Sequence, residues 1–474
     1  MKTDKCRLCK GPLGAPVLDL GSTPLANEFL SSPSPQDLFP LQVCCCASCG
    51  HYQLNQSIDP ERIFRHYHYV AGTSPVNVEH FRKYAVSMVE KFDLKPGSKI
   101  LEIASNDGVM LQHFKDLGMK VMGIDPARNI ADEANKKGIE TITEFFTEAY
   151  ADKMLKEHGQ FDLIVANNVF AHCPDLVDFT KGVKKLLAPQ GVFVFEVSYF
   201  ADVCDHTLFD TIYHEHSSYH TVGPLRPFFT GHGLDLFDVE RIPNHGGSIR
   251  VFVRCQEDFG LGRWYRGALS AGLGDLPQQE QDIEKKVKQL AHNIKYLGLE
   301  LREKLRDLRD QDKSIAIYGA PAKATTLMYA LGIKEEWIDF AVDDAPLKQG
   351  TFTPGKHILI YTSQAILERK PDVLLILAWN FADSIIEKCQ QQWYQHFKNV
   401  RYPTFIVPLP ELKVQRYCEN MTCTCSDGPW IEDPKYSGSF NGIKIGGARC
   451  QSCGGIDRGM PWFPAIEELT RKGS

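Results

Sequence analysis

Lys99-Ile-Leu-Glu-Ile-Ala-Ser-Asn-Asp-Gly108 and, one amphipathic stretch later, Val121-Met-Gly-Ile-Asp125 decide how this chain folds. The first begins as an almost unbroken apolar run, the pattern of a strand buried on both faces of a parallel sheet. It then breaks into small and polar residues, a tight loop that feeds a helix expected over 109–117. The second is another short apolar strand, and it closes on an acid. A strand, a small-residue loop at a helix N-terminus, and an acid ending the next strand make a nucleoside site, the acid accepting from ribose hydroxyls. The residues concerned are Glu102, Ala104, Asn106, Asp107, Gly108, Asp125 and Pro126. Gly-x-Gly-x-x-Gly is absent, so the loop has no third glycine for the approach of a pyrophosphate. S-adenosylmethionine carries no phosphate and needs no such cradle, so the departure favours it over a dinucleotide.

Working outward, the alternation continues. A helix precedes Gly159, a strand covers 161–165, a helix runs to Leu187, and a turn at Pro189-Gln-Gly191 leads to a strand over 192–196. Strands over 234–240 and 248–254 close the set, which argues a doubly wound α/β sheet. Asn167, Asn168 and His172 fall in the loop after the fourth strand, where they meet the cofactor; alternatively Asn168 caps a short helix and His172 bonds backbone. From Gln281 to Leu308, apolar residues spaced by threes and fours predict one long amphipathic helix, docked on a neighbouring domain or paired with another subunit. A second strand-loop-helix begins at Ser314, with Gly319 and Lys323 placed to hold phosphates, although the Walker order is missing. The expected organisation is an N-terminal domain over 1–72, the α/β domain over 73–260, a linker with the long helix over 261–312, a smaller Rossmann-like α/β domain over 313–412, and a cysteine-rich tail over 413–474.

The 474 residues suffice for two to four domains. An apolar content of 43% and a charged content of 24% describe an ordinary soluble protein, and a net charge of -6 gives no electrostatic reason to bind nucleic acid or membrane. The N-terminus lacks a signal-peptide core and no apolar run reaches a membrane span, so a cytoplasmic location is expected. In that setting 15 cysteines read as metal ligands before disulfides. Cys6-x2-Cys9 and Cys46-x2-Cys49 fit a tetrahedral structural zinc site that leaves no coordination position open for chemistry. Cys423, Cys425, Cys450 and Cys453 form a weaker set for a second zinc, because Cys423-x-Cys425 is too close for the usual knuckle.

The densest chemistry lies at Asp210-Thr-Ile-Tyr213-His-Glu-His216-Ser-Ser-Tyr-His220, fenced by apolar segments and read as the lining of a pocket. His214 and His216 point apart on a helix, so a shared metal needs a strand there. Solvated histidines without a role are the plain alternative. Proton chemistry is the favoured reading, because imidazole titrates near neutrality.

Taken together, the paired cysteine knuckles, 101–108, Asn168-Val-Phe-Ala-His172, Tyr213-His-Glu-His216, His245-Gly-Gly-Ser-Ile-Arg250, Tyr-Gly319-Ala-Pro-Ala-Lys323 and Leu377-Ala-Trp-Asn380 resemble the zinc-containing sugar C-methyltransferases, which methylate carbon 3 of nucleotide-linked 4-keto deoxysugars. The resemblance covers roughly 5–412. It implies a zinc-bearing N-terminal domain, a central class I methyltransferase-type domain for S-adenosylmethionine, and a C-terminal domain that helps bind the nucleotide sugar. By the same match, active-site roles fall on Tyr67, Asn168, His172, Tyr213, Glu215 and His216, with His216 the favoured base, His214 and Glu215 its rivals, and Gly319, Lys323, His245 and Arg250 on the substrate. Two departures stand out: Ala104 replaces a glycine found in many relatives, and the cysteine-rich tail lies outside the pattern. The alternatives are a methyltransferase of this architecture acting on another keto or nucleotide-linked metabolite, and a zinc-ribbon interaction protein with a vestigial core. The expected partner is a small molecule, and the expected state a monomer or small homo-oligomer.

Overall fold

The computed structural model describes residues 2–65, 67, 69–258, 272–397 and 402–415, with the backbone of four short strands between Trp430 and Cys450. The chain opens with an antiparallel meander, β1 (Leu13–Thr23), β2 (Phe39–Cys46) and β3 (Tyr52–Leu54). Leu18, Leu20, Leu41, Val43 and Leu54 are its buried apolar residues.

The middle of the chain supplies β4 (Lys99–Ile103), β5 (Lys120–Ile124), β6 (Thr141–Ile142), β7 (Phe161–Asn167), β8 (Leu187–Ser198), the two-residue β9 (Ser218–Tyr219), β10 (Leu234–Ile242) and β11 (Ser248–Cys255). All but β9 form one seven-stranded sheet in the order β10-β11-β8-β7-β4-β5-β6. The first five strands are parallel, and β11 inserts antiparallel beside β8. Both faces are covered, as the apolar runs predict. Ile100, Leu163, Val165 and Val194 pack with Tyr84 and Met88 of the helix Pro75–Lys91 and with Phe114 of the helix Val109–Asp116. Leu101, Ile164, Phe193 and Phe195 pack on the other side with Met154 and Phe179. The helix Pro75–Lys91 starts where Ser74 accepts from the Asn77 amide and Pro75 takes the first helical position.

The turn expected at 189–191 is present within the range of β8: Gln190 adopts a φ of 65°, a Cβ on Gly191 would stand 2.9 Å from the Ala188 carbonyl oxygen, and the pairing with β7 slips between Phe161 and Leu163.

Toward the C-terminus, β12 (Ile315–Tyr318), β13 (Phe340–Val342), β14 (Ile360–Tyr361), β15 (Val373–Ile376), β16 (Thr404–Val407) and β17 (Lys413–Gln415) form a second sheet in the order β14-β13-β12-β15-β16-β17. Both sheets reverse strand order beside their first strand, at β4/β7 and β12/β15, and ligands of open α/β sheets bind outside the strand ends at such points. The long helix covers Ile283–Asp310. Its Leu290, Ile294, Leu301 and Leu305 share one core with Leu18 and Leu41 of the meander and Leu327 and Leu331 of the C-terminal unit. The apolar stripe is therefore satisfied within the chain. No helix among the described residues is long and apolar enough to cross a membrane.

Candidate active site

The thiol sulfurs of Cys6, Cys9, Cys46 and Cys49 lie within 4.8 Å of one another. Cys6 to Cys49 is 3.7 Å and Cys9 to Cys46 is 3.5 Å. A tetrahedron of about 2.3 Å zinc–sulfur bonds has edges of about 3.8 Å, so the cage has the right size for that ion. The Gly11 and Ser48 amides donate to the Cys9 and Cys46 sulfurs, which orients them and spreads their charge. Cys44 and Cys45 stay outside the cluster. The side chains of Cys423, Cys425, Cys450 and Cys453, named for a second zinc, lie outside the described residues.

The cofactor loop follows β4. Ala104 and Asn106 take positive φ values of 54° and 50°, and Gly108 one of 74° at the start of the next helix. Asp125, just past β5, accepts from the Asn106 amide at 2.9 Å and the Ala127 amide at 2.8 Å. Burial holds its carboxyl above the usual range. Glu102 is buried too, and burial, reinforced by Asp125 and Asp107, pushes its carboxyl far up. Its Oε2, the Ser105 hydroxyl and the Asn167 Oδ1 are buried polar atoms without a protein partner. The Asn167 amide nitrogen faces the Met110 sulfur. Three carboxyl groups and one cation, Lys137 paired with Asp107 at 2.8 Å, make a poor seat for a pyrophosphate and a good one for a sulfonium and an ammonium. The donor set thus fits S-adenosylmethionine. Residues 69–72 lie across the loop: the Ala71 amide donates to Asn106 Oδ1 at 2.8 Å, the Gly72 amide donates to Asp107 at 3.3 Å, and Asn106 donates to the Tyr69 carbonyl. Pro126 presents its carbonyl to Arg65.

The 210–220 segment is buried almost throughout and has little regular structure beyond a 3-10 turn at Phe209–Thr211 and β9. His216 Nδ1 sits 2.6 Å from the Thr211 carbonyl. A carbonyl only accepts, so Nδ1 carries the hydrogen and the basic lone pair is on Nε2. The Tyr213 and His172 rings lie 4.2 and 4.6 Å from the His216 ring by centroid. Burial drops the His172 imidazole to about 4, so it is neutral at physiological pH. Glu215 accepts from Tyr67 Oη at 2.8 Å and from Asn27 Nδ2 at 2.7 Å, and burial nevertheless raises its carboxyl to about 7. Burial also pushes the Tyr67 and Tyr213 phenols far up, which keeps both protonated as donors. His214 turns away to the Pro40 carbonyl, and the cluster of four cysteines is the metal-type group found among the described residues. The shared-metal reading of His214 and His216 and the solvated reading both fall. Asn168 has a positive φ of 55°, donates its amide to the Glu196 carbonyl and precedes a turn closed by His172 N to Val169 O, so it caps no helix.

The C-terminal unit reaches this segment through side chains. Thr326 Oγ1 donates to the Ile212 carbonyl at 2.9 Å and Trp379 Nε1 to Asp210 at 2.6 Å, while the half-buried Lys323 ammonium stands 5.9 Å from the Trp379 ring centroid. Gly319 has a positive φ of 88°, and a Cβ there would stand 2.5 Å from that of Ala378, so glycine is what lets the loops after β12 and β15 approach. Arg250 is a correction. It lies in β11 with its guanidinium on Glu196 at 2.6 Å and 4.1 Å from the Tyr84 ring centroid, and His80 takes the other Glu196 oxygen at 2.8 Å. A buried arginine so engaged ties β11 to β8 and to the helix Pro75–Lys91, a structural task in place of the expected substrate contact. His245 falls in the turn Asn244–Gly246, and its side chain lies outside the described residues. Two participants were missed from sequence. Asn27 comes from the loop between β1 and β2, and Trp379 was quoted in a motif without a task; an amide closing the apolar run Pro24-Leu-Ala-Asn27 was the available signal for the first.

A parallel five-strand run with an antiparallel insertion, an acid-rich nucleoside cleft at its switch point and a four-thiolate cage define an S-adenosylmethionine-dependent methyltransferase that carries structural zinc. Three family models match: a zinc-binding domain over 6–64, a methyltransferase domain over 78–239 and a C-methyltransferase C-terminal domain over 243–410. C-methyltransferase NovU of Streptomyces niveus is 36% identical over 415 residues, spanning 87% of this chain and 96% of that protein. The chain belongs to this family of C-methyltransferases. A ubiquinone biosynthesis O-methyltransferase of Burkholderia thailandensis is 23% identical over 32% of this chain and 70% of its own. Among solved structures, magnesium protoporphyrin IX methyltransferase ChlM of Synechocystis PCC 6803 overlays with 12% identity and a TM-score of 0.28, over 38% of this chain and 77% of that one, a level that supports no inference.

Proposed function

We propose that the enzyme methylates the carbon next to the ketone of a nucleotide-linked 4-keto deoxysugar, with His216 as the base. The observation that carries this is the His216 imidazole, fixed by the Thr211 carbonyl in the tautomer that presents a basic Nε2 and surrounded by phenol and neutral imidazole. Nε2 takes the proton of the carbon beside the carbonyl, the C–H electron pair becomes the carbon–carbon double bond, and the carbonyl π pair moves onto the oxygen as an enolate. Tyr213 and His172 are the donors for that oxygen, in a site dry enough for each contact to be worth about 3 kcal/mol in the transition state. Glu215, steadied by Asn27 and Tyr67, orients a sugar hydroxyl, and Asn168 lines the same loop. S-adenosylmethionine, when bound, would supply its sulfonium methyl to the enolate carbon, the S–CH3 bonding pair leaving with the neutral thioether S-adenosylhomocysteine. Its holding residues would be Glu102, Asn106, Asp107, Asp125 and Asn167 along the cleft, with Gly108 opening the helix. Lys323, above Trp379, meets the nucleotide phosphates from the C-terminal unit, and Gly319 lets that loop come close.

The deciding experiment incubates the protein with methyl donor and a panel of nucleoside diphosphate 4-keto-6-deoxyhexoses and weighs the products. Gain of one methyl on carbon, with solvent deuterium entering at that carbon, is expected. His216→Asn should bind the methyl donor normally, methylate on the order of 10² to 10⁴ more slowly and fail to exchange that proton. Exchange at the wild-type rate in the variant would move the base to Glu215 or His214.

A further inference from the structure

Arg7 sits between two of the zinc cysteines and is 4% exposed. Its guanidinium is turned away from the metal cage. Nη1 donates to the Leu54 carbonyl at 2.6 Å and to the Ser217 carbonyl at 3.1 Å, and Nη2 donates to Ser57 Oγ at 2.8 Å. The Ser217 carbonyl also accepts the Leu54 amide at 3.0 Å, and β9 continues the contact by pairing with β3. From the other side, Ser217 Oγ donates to the Ala171 and Cys173 carbonyls at 3.1 and 3.3 Å, and the Ser218 amide donates to Ala171 at 3.1 Å. Ser217 is thus gripped between the cysteine knuckle and the turn that carries His172. It directly follows His216.

We propose that Arg7 is a positioning residue for proton abstraction, the strut through which the zinc cage fixes the backbone of the base; this rests on the reading of His216 under Proposed function. Four acceptors, the Gln56 carbonyl at 3.4 Å from Nη2 being the fourth, are spread over the two terminal nitrogens of one planar fork and select arginine, since a lysine ammonium cannot span them all. The thiolate cage anchors the Arg7 backbone at both flanks. Loss of the strut lets the 213–220 segment shift, while the methyl-donor cleft, built on β4 and β5, keeps its shape. The expected signature is a fall in kcat with cofactor affinity intact.

The test uses the full-length protein and the variants Arg7→Lys, Arg7→Met and the milder Ser57→Ala. Zinc content, S-adenosylmethionine affinity by calorimetry, amide hydrogen exchange across 213–220 without any sugar, and turnover on the best member of the 4-keto-6-deoxyhexose panel are measured for each. Arg7→Lys and Ser57→Ala should keep zinc and bind the methyl donor within about twofold of wild type, while exchange in 213–220 quickens and kcat drops on the order of 10-fold with a smaller change in KM. Arg7→Met should lose more than Arg7→Lys, the lysine giving partial rescue. Zinc-loaded variants with unchanged exchange and unchanged kcat would overturn the proposal. So would a parallel loss of zinc, cofactor affinity and turnover in both mild variants, which is the mark of a purely structural arginine. If wild type methylates no member of the panel, the substrate reading falls, and the exchange rates alone decide on the strut.

Discussion

Replacing Glu215 with glutamine should make the protein more stable at alkaline pH than at acid pH relative to wild type. Burial raises this carboxyl from 4.5 to about 7 in the folded chain. Between those values the folded state keeps a proton that the unfolded state has released, so wild-type stability falls as pH rises through the window and levels off above 7. The full cost of ionising Glu215 in place is about 3 kcal/mol, of which about 2.5 kcal/mol develops between pH 5 and pH 8. Glutamine pays none of it. Its amide must share the pocket with Asn27 and Tyr67, both of which donate to Glu215, and turning the Asn27 amide over restores the match for about 1 kcal/mol, independent of pH. Thermal midpoints of the two proteins, recorded at pH 5 and pH 8, isolate the effect because all other groups titrate alike in both. For a chain of 474 residues the variant should gain roughly 2 to 3 °C on wild type between the two conditions. Midpoints that run parallel across the range would show that Glu215 ionises as it does in water, and the dry pocket argued for the enolate would be refuted with it.

Ala104→Gly removes a side chain from a left-handed position and should stabilise the protein by about 1 kcal/mol in denaturant titrations; no gain would mean the loop is not held at a φ of 54°. Gly72→Ala places a Cβ 2.4 Å from Asp107 Oδ2, so the segment crossing the cofactor loop must lift, and calorimetry should record roughly tenfold weaker S-adenosylmethionine binding, the loss of one or two hydrogen bonds. Asp125→Ala leaves the Asn106 and Ala127 amides without their acceptor, and affinity should drop on the order of 10²-fold, with retained affinity removing Asp125 from the site. Cys6→Ser should lower zinc content and solubility together, and a soluble, metal-free, active variant would contradict a structural role for the ion.

Parallel strands buried on both faces were legible because nothing in them alternates, and Asp125 marked the cleft because an acid ending such a strand has few other uses. The cysteine pairs spoke through spacing alone. What stayed hidden depends on partners far along the chain. Ser218-Tyr219 is too short to announce a strand, and Arg7 and Asn27 acquire tasks only when residues some two hundred positions later fold against them. Arg250 misled in the opposite direction: a charged residue in a conspicuous motif read as a ligand contact, whereas Glu196 and the Tyr84 ring enclose it. Pro189-Gln-Gly191 was legible as a turn because its chemistry is local, and the regular pairing of β8 with β7 and β11 resumes only at Val192.

The strand that completes the first sheet also sets a timetable for synthesis. The cysteine knuckles leave the ribosome early, but Ser217, which caps Arg7, comes 210 residues after it. At translation rates of about 5 to 20 residues per second, β3 (ending at Leu54) waits roughly eight to thirty seconds for β9 (starting at Ser218) with an open edge and an arginine lacking one of its acceptors. An unpaired edge is a template for a wrong partner, and a nascent chain starved of zinc meets that hazard with nothing to hold the meander together. Metal supply during translation, more than after release, should therefore govern how much of this enzyme reaches the folded state.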